Sequence, residues 1–157
     1  MNKILKNHIA NSTRDVHVTN SGYVYSDNFN VLVVGEYTIS IQANSNAYST
    51  PRQDKPKMKS YSHFEVAIFK EGHVWVLPLL EFGSRGEDGY IQWNDKRADL
   101  GWEGGWHKES DVAEPKTSVA GWVSRYKLSR FIEMLEEISN QKWVDDNKEL
   151  LDMVFIS

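Results

Sequence analysis

The chain of 157 residues contains no cysteine. This absence excludes disulfide bonds, cysteine-ligated zinc, iron–sulfur clusters and thiol catalysis. Long apolar runs are lacking as well: no stretch of about 18 apolar residues occurs, so we expect no membrane span. The first residues show neither a sustained apolar segment nor a small-residue cleavage site, which argues against a secretory signal. We therefore expect a cytoplasmic protein.

A strong excess of charge of one sign is also missing. The chain has 18 Lys and Arg against 22 Asp and Glu, which gives a formal net charge of -4. A dedicated nucleic-acid-binding protein usually carries a basic excess, and a DNA mimic would be far more acidic. The overall charge therefore identifies no class of partner. Nucleic acid is kept as a partner that is less favoured than a protein.

The first half of the chain has the patterns of β-strands. Residues 37–43, YTISIQA, alternate apolar and polar side chains, as a half-buried strand does. Residues 63–69 and 73–80 predict a hairpin. A two-residue loop, Glu71-Gly72, gives the cleaner apolar face, whereas a three-residue loop shifts the pairing by one residue.

The C-terminal part has helical spacing. Ser124 is a predicted N-cap for a helix over 125–139, and a second helix is predicted over 146–155, with its apolar residues facing inward. Strands come first and helices last, which favours an α+β fold. We predict one domain over 1–157: an antiparallel β-sheet, a long Gly/Trp-rich, loop-rich insertion at 81–118, and C-terminal helices packed on one face.

The insertion is the unusual part of the sequence. It holds six of the ten glycines and three of the six tryptophans. Tryptophan is enriched in binding hot spots, so Trp93, Trp102, Trp106 and the adjacent His107 are candidate partner-binding residues. The alternative is that the tryptophans fold back to cover the sheet. Solvent exposure of Trp102 and Trp106 separates the two interpretations.

The polar connection at 44–60 offers a second candidate region. Loops of this length in a compact domain are often functional. Tyr48 and Arg52 are the candidate residues, because Pro51 would hold Arg52 in a defined direction. Basic and aromatic residues together also suit a single-stranded nucleic acid. The alternative is a solvated loop in which Arg52 pairs with a carboxylate such as Glu65.

Catalytic and metal-binding patterns are weak. His17-Val18-Thr19 matches one half of a paired HxT phosphoesterase motif, whose second half is missing. His63 and Glu65 share a strand face, which is the nearest approach to a two-ligand metal element. We predict no catalytic residue, no metal site and no cofactor. An enzyme or sequestering protein that acts on nucleotides or nucleic acid, through His17, His63 and Arg52, stays as the alternative.

Four short segments taken together resemble a known group. YTISIQA (37–43), AYSTPR (47–52), FEVAI (64–68) and AGWVSRYKLSRFIEML (120–135) are similar to segments of small uncharacterised bacteriophage proteins. The resemblance carries no catalytic residues. It implies a phage origin and a protein that binds and inhibits a host factor, such as a restriction, CRISPR or other anti-phage defence component. A virion assembly role is a further alternative, and the oligomeric state stays open.

Overall fold

The structure is a computed structural model that describes residues 1–71, 73–102, 107–112 and 119–156. Within these ranges the helices are α1 (Lys3–Asn11), α2 (Pro78–Phe82), α3 (Glu109–Val112), α4 (Arg125–Asp146) and α5 (Lys148–Ile156). The strands are β1 (Val16–Val18), β2 (Val24–Ser26), β3 (Leu32–Val34), β4 (Tyr37–Gln42), β5 (His63–Lys70), β6 (Val74–Trp75), β7 (Gly83–Arg85), β8 (Tyr90–Trp93), β9 (His107–Lys108) and β10 (Val119–Ser124).

The main sheet is antiparallel, with the strand order β10-β5-β4-β3 and with β6 paired to β5. The apolar face predicted for β4 is confirmed, since Tyr37, Ile39 and Ile41 are buried. The opposite face is less open than expected, because Thr38 is buried as well. Their side chains belong to one apolar core with residues of β5, α1 and α4. The molecule is therefore an α+β fold in which α1 and α4 pack on one face of the sheet.

The predicted hairpin forms, but with the shifted register and a shorter second strand. Phe69 pairs with Trp75, as the three-residue loop requires, so the preferred two-residue register is wrong. Strand β6 ends after two residues, because β10 pairs with the preceding part of β5. Pro78 then begins α2, where its missing N–H costs no hydrogen bond. Gly72 lies outside the described residues.

The C-terminal helices differ from the expectation in length and in burial. Ser124 is the N-cap of α4, as predicted, and its hydroxyl accepts a hydrogen bond from the N–H of Lys127. Helix α4 continues to Asp146, about 10 Å beyond the predicted end. Leu150 and Val154 on α5 are exposed rather than inward. The longer α4 explains this, because it carries α5 past the apolar core.

The insertion is more regular than the predicted excursion of loops. Strands β7, β8 and β9 form a three-stranded antiparallel sheet, and β8 coincides with the strand expected at Tyr90–Trp93. Leu79, Ile91 and Val112 form a second small core beneath it. Residues 103–106 and 113–118 of this segment lie outside the described part of the chain.

Candidate functional site

Trp102 is a core residue. Its side chain is only 7% exposed, and it packs edge-on against Phe131 of α4 with ring centroids 6.4 Å apart. The indole N–H donates to the backbone oxygen of Ala98 at 2.7 Å. The candidate partner-binding role is therefore corrected for Trp102, because a buried indole presents no surface to a partner. Trp106 lies outside the described residues, so its role stays a prediction.

The other two candidates of the insertion also lie within packed structure. Trp93, on β8, is half-buried and packs against both apolar cores. His107, on β9, is half-buried and lies opposite Ile91 of β8. The structure thus places Trp93 and Trp102 at the junction between the insertion and the main core.

Tyr48 and Arg52 come together at an exposed surface. The guanidinium carbon of Arg52 lies 5.3 Å from the centroid of the Tyr48 ring. The same ring stacks on Trp122 of β10, with centroids 4.6 Å apart and planes at 26°. The indole of Trp122 is 55% exposed. These three side chains, which we call the Tyr48 stack, combine two aromatic faces with a cation.

An irregularity in β10 positions Trp122. Ala120 pairs with Val66 and Val123 pairs with Phe64, so Gly121 and Trp122 together oppose a single residue of β5. This is a β-bulge, which redirects side chains locally. Trp122 has φ 48°, in the left-handed region that bulky residues rarely adopt.

Gly121 allows the loop to approach the bulge. A Cβ atom on Gly121 would lie 2.8 Å from the Cβ of Tyr48, which is closer than real Cβ contacts. The N–H of Trp122 donates to the backbone oxygen of Tyr48 at 2.8 Å. The glycine and this hydrogen bond therefore bring the loop directly against β10.

The loop also crosses the face of the sheet that is opposite to α4. The N–H of Tyr48 donates to Glu65 Oε2 at 3.0 Å, and Glu65 lies on that face of β5. Thr50 forms a bridge with His63. Arg52 therefore does not make the considered pair with Glu65: its guanidinium lies over Tyr48 and donates to the oxygen of Asn46 at 3.4 Å.

The aromatic residue at the other end of the connection has a structural role. Tyr61 is buried, and its hydroxyl donates to Gln53 O and accepts from the N–H of Lys55 and from Arg14 Nη2. Burial raises the pKa of Tyr61. Of the two tyrosines at the ends of this connection, only Tyr48 therefore offers an exposed ring to a nucleic acid.

The candidate catalytic and metal-binding residues do not converge. His17 Nε2 lies 3.1 Å from Asp27 Oδ1, whereas His63 Nδ1 contacts the hydroxyl of its neighbour Ser62. Among the described residues, no group of three His, Asp or Glu side chains is arranged to hold a metal ion. The same residues contain no helix that is long and apolar enough to cross a bilayer.

Trp122 is the functional candidate that sequence reasoning missed. Strict alternation over 119–123 would put Trp122 on the same face as Ala120, yet Ala120 is buried and Trp122 is exposed. The available signal was Gly121, since a glycine within a strand often marks a bulge or a close backbone approach.

The comparisons with known proteins leave the site to be interpreted from its own chemistry. The Tyr48 stack is an exposed surface of two aromatic rings and one arginine. No protein-family model, no curated protein and no solved structure matches this chain.

Proposed function

We propose that this chain is a protein-binding module whose contact surface is the Tyr48 stack. The observation that carries the proposal is the backbone of Trp122. A bulky residue in the left-handed region costs about 1–3 kcal/mol, and here the conformation holds an exposed indole on a tyrosine ring. Such strain persists only where the surrounding structure enforces it, and strained residues cluster at functional sites.

The composition of the stack suits a protein partner. Trp, Tyr and Arg are the residues most enriched in binding hot spots. Tyr48 and Trp122 restrain each other, so little side-chain entropy is left to lose on binding. Arg52 lies over the Tyr48 ring and adds a charged donor for an acceptor on the partner.

The resemblance to small phage proteins supports a more specific form of the proposal. In that form the partner is a host protein, such as a restriction, CRISPR or other anti-phage defence component, and binding inhibits it in the cytoplasm of the infected cell. Tyr48 and Arg52 lie in one of the segments that carry the resemblance, and Trp122 lies in another.

The test is a quantitative pull-down from bacterial lysates with and without defence systems. We compare the tagged full chain with Trp122→Ala and with Trp143→Ala, because Trp143 on α4 is equally exposed, at 58%. A stoichiometric partner should bind the wild type and Trp143→Ala, and should lose at least about 2 kcal/mol of affinity with Trp122→Ala. Equal capture by all three proteins would contradict the proposal.

Single-stranded nucleic acid is the second candidate, since stacked aromatics beside a cation also bind bases. Nuclease treatment of the lysate separates the two functions, because it removes a nucleic-acid ligand and leaves a protein partner. A labelled oligonucleotide that binds the wild type, weakly at high salt, and fails to bind Trp122→Ala would favour this second function.

A further inference from the structure

A second group of exposed aromatic rings lies on the ribbon formed by β1 and β2. His17 and Tyr25 are directly opposite each other, and their rings stack with centroids 4.9 Å apart. Tyr23 shares that side of the ribbon and stacks on Tyr25 at 6.0 Å, with planes at 21°. The Tyr23 side chain is 58% exposed. We call these three residues the ribbon ladder.

The ribbon holds the rings in place. The turn is closed by a hydrogen bond from Thr19 N–H to Tyr23 O at 2.8 Å, and Tyr23 N–H donates to the Thr19 hydroxyl. The His17 ring contacts Asp27 Oδ1 at 3.1 Å. At the base of the ribbon, the Ser26 hydroxyl donates to Asp54 Oδ1 at 2.7 Å. The ladder is therefore preorganised, which lowers the entropic cost of binding a ligand.

The charged residues of the ribbon determine which of the ligands that stack on aromatic rings can bind there. On the ribbon itself, residues 15–27 contain Asp15 and Asp27 but no lysine or arginine. Lys55 and Lys57 belong to the neighbouring segment, which contacts Thr13 and Arg14 at the base of the ribbon. Arg14 adjoins residues 15–27, but it is buried and donates to the backbone oxygen of Asp27. A chain of phosphates would meet exposed carboxylates here, and a nucleic acid is disfavoured for this reason.

A neutral sugar fits the same chemistry. The C–H groups on one face of a pyranose pack against an aromatic ring, and its hydroxyls donate to carboxylate and hydroxyl oxygens. Asp27 supplies an exposed carboxylate beside His17, and Thr19 and Ser21 supply hydroxyls at the turn. We propose that the ribbon ladder binds a neutral glycan chain. One sugar ring of this chain stacks on Tyr23, the exposed aromatic ring at the end of the ladder.

Affinity electrophoresis of the full chain tests this proposal. Native gels contain one neutral polysaccharide each (dextran, galactomannan, arabinoxylan or hydroxyethyl cellulose), and heparin and a labelled oligo(dT) 20-mer serve as polyanionic probes. At least one neutral polymer should retard the wild type. Tyr23→Ala and Tyr25→Ala should weaken that interaction roughly fivefold each, whereas Tyr23→Trp should retain it.

Tyr126→Ala is the matched control, because Tyr126 on α4 is 70% exposed and lies outside the ladder. Its retardation should equal that of the wild type. The proposal is overturned if no neutral polymer retards the wild type, if only heparin or the oligonucleotide binds, or if the tyrosine-to-alanine variants in the ladder migrate like the wild type. The absence of neutral-polymer binding leaves the proposed function of the Tyr48 stack unaffected, because the two surfaces share no residue. Binding of the oligonucleotide alone would favour the nucleic-acid function considered for that stack.

Discussion

Replacing Trp122 by glycine and by alanine measures the backbone strain directly. Alanine removes the stack on Tyr48, which costs about 1 kcal/mol, and keeps the side-chain penalty at φ 48°. Glycine removes the same stack, but it adopts positive φ freely and relieves about 1–2 kcal/mol. Allowing for the greater freedom of glycine in the unfolded chain, Trp122→Gly should be more stable than Trp122→Ala by about 1 kcal/mol.

The assay is urea unfolding followed by far-UV circular dichroism, since tryptophan fluorescence itself changes with the substitution. In a chain of this size, the expected difference corresponds to a melting temperature about 3 °C higher for the glycine variant. Trp143 supplies a control of opposite sign. It lies inside α4, where glycine is less stable than alanine by about 1 kcal/mol. If Trp122→Ala proves as stable as Trp122→Gly, or more so, Trp122 carries no strain and the main support for the proposed function is lost.

Three further predictions follow from buried and charged groups. Trp102→Ala should cost about 3–5 kcal/mol of stability in chemical denaturation, and a loss below about 1 kcal/mol would contradict its place in the core. Gly35→Ala should be strongly destabilising, because the new Cβ would lie 1.9 Å from Ser139 Oγ at a residue with φ 60°. Adding Ser139→Gly should recover part of the lost stability, and no recovery would contradict the clash. Hydrogen bonds from Arg97 hold the pKa of Asp95 below its ordinary value. The extra stability of the wild type over Asp95→Asn should therefore be present above pH 4 and should vanish as the pH falls through the pKa of Asp95 in the folded protein. A stability difference that does not change with pH would contradict this linkage.

The sheet could be predicted where one face of a strand is buried. In β4 the apolar residues all point to the core, so the period of two in the sequence identifies the core-facing side, although Thr38 on the opposite side is buried as well. The hairpin register could not be predicted in the same way. The alternation in 73–80 is consistent with a long strand, but β10, about fifty residues later, occupies the edge of β5 that this strand would need.

The candidate site was predicted in part. Tyr48 and Arg52 were identified because Pro51 and the length of the loop point to a constrained segment, and the structure brings their side chains together. Their partner Trp122 depends on a bulge and on a loop that crosses the sheet, and both arise from tertiary pairing rather than from local pattern. Trp102 shows the converse, since the sequence left open whether it is exposed or covers the sheet, and only its packing against Phe131 decides for the core.

The buried hydroxyl of Tyr61 has a consequence for proteolysis. Residues 44–60 contain several trypsin sites, including Arg52, Lys57 and Lys59, and such a polar connection is normally an early cleavage site. Here the Tyr61 hydroxyl holds the backbone of Gln53 and Lys55, so cleavage requires the local opening of a core residue. We expect trypsin to spare this segment in the native wild type and to cut it readily in Tyr61→Phe. The rate of cleavage then measures how firmly the core holds the loop that carries Tyr48.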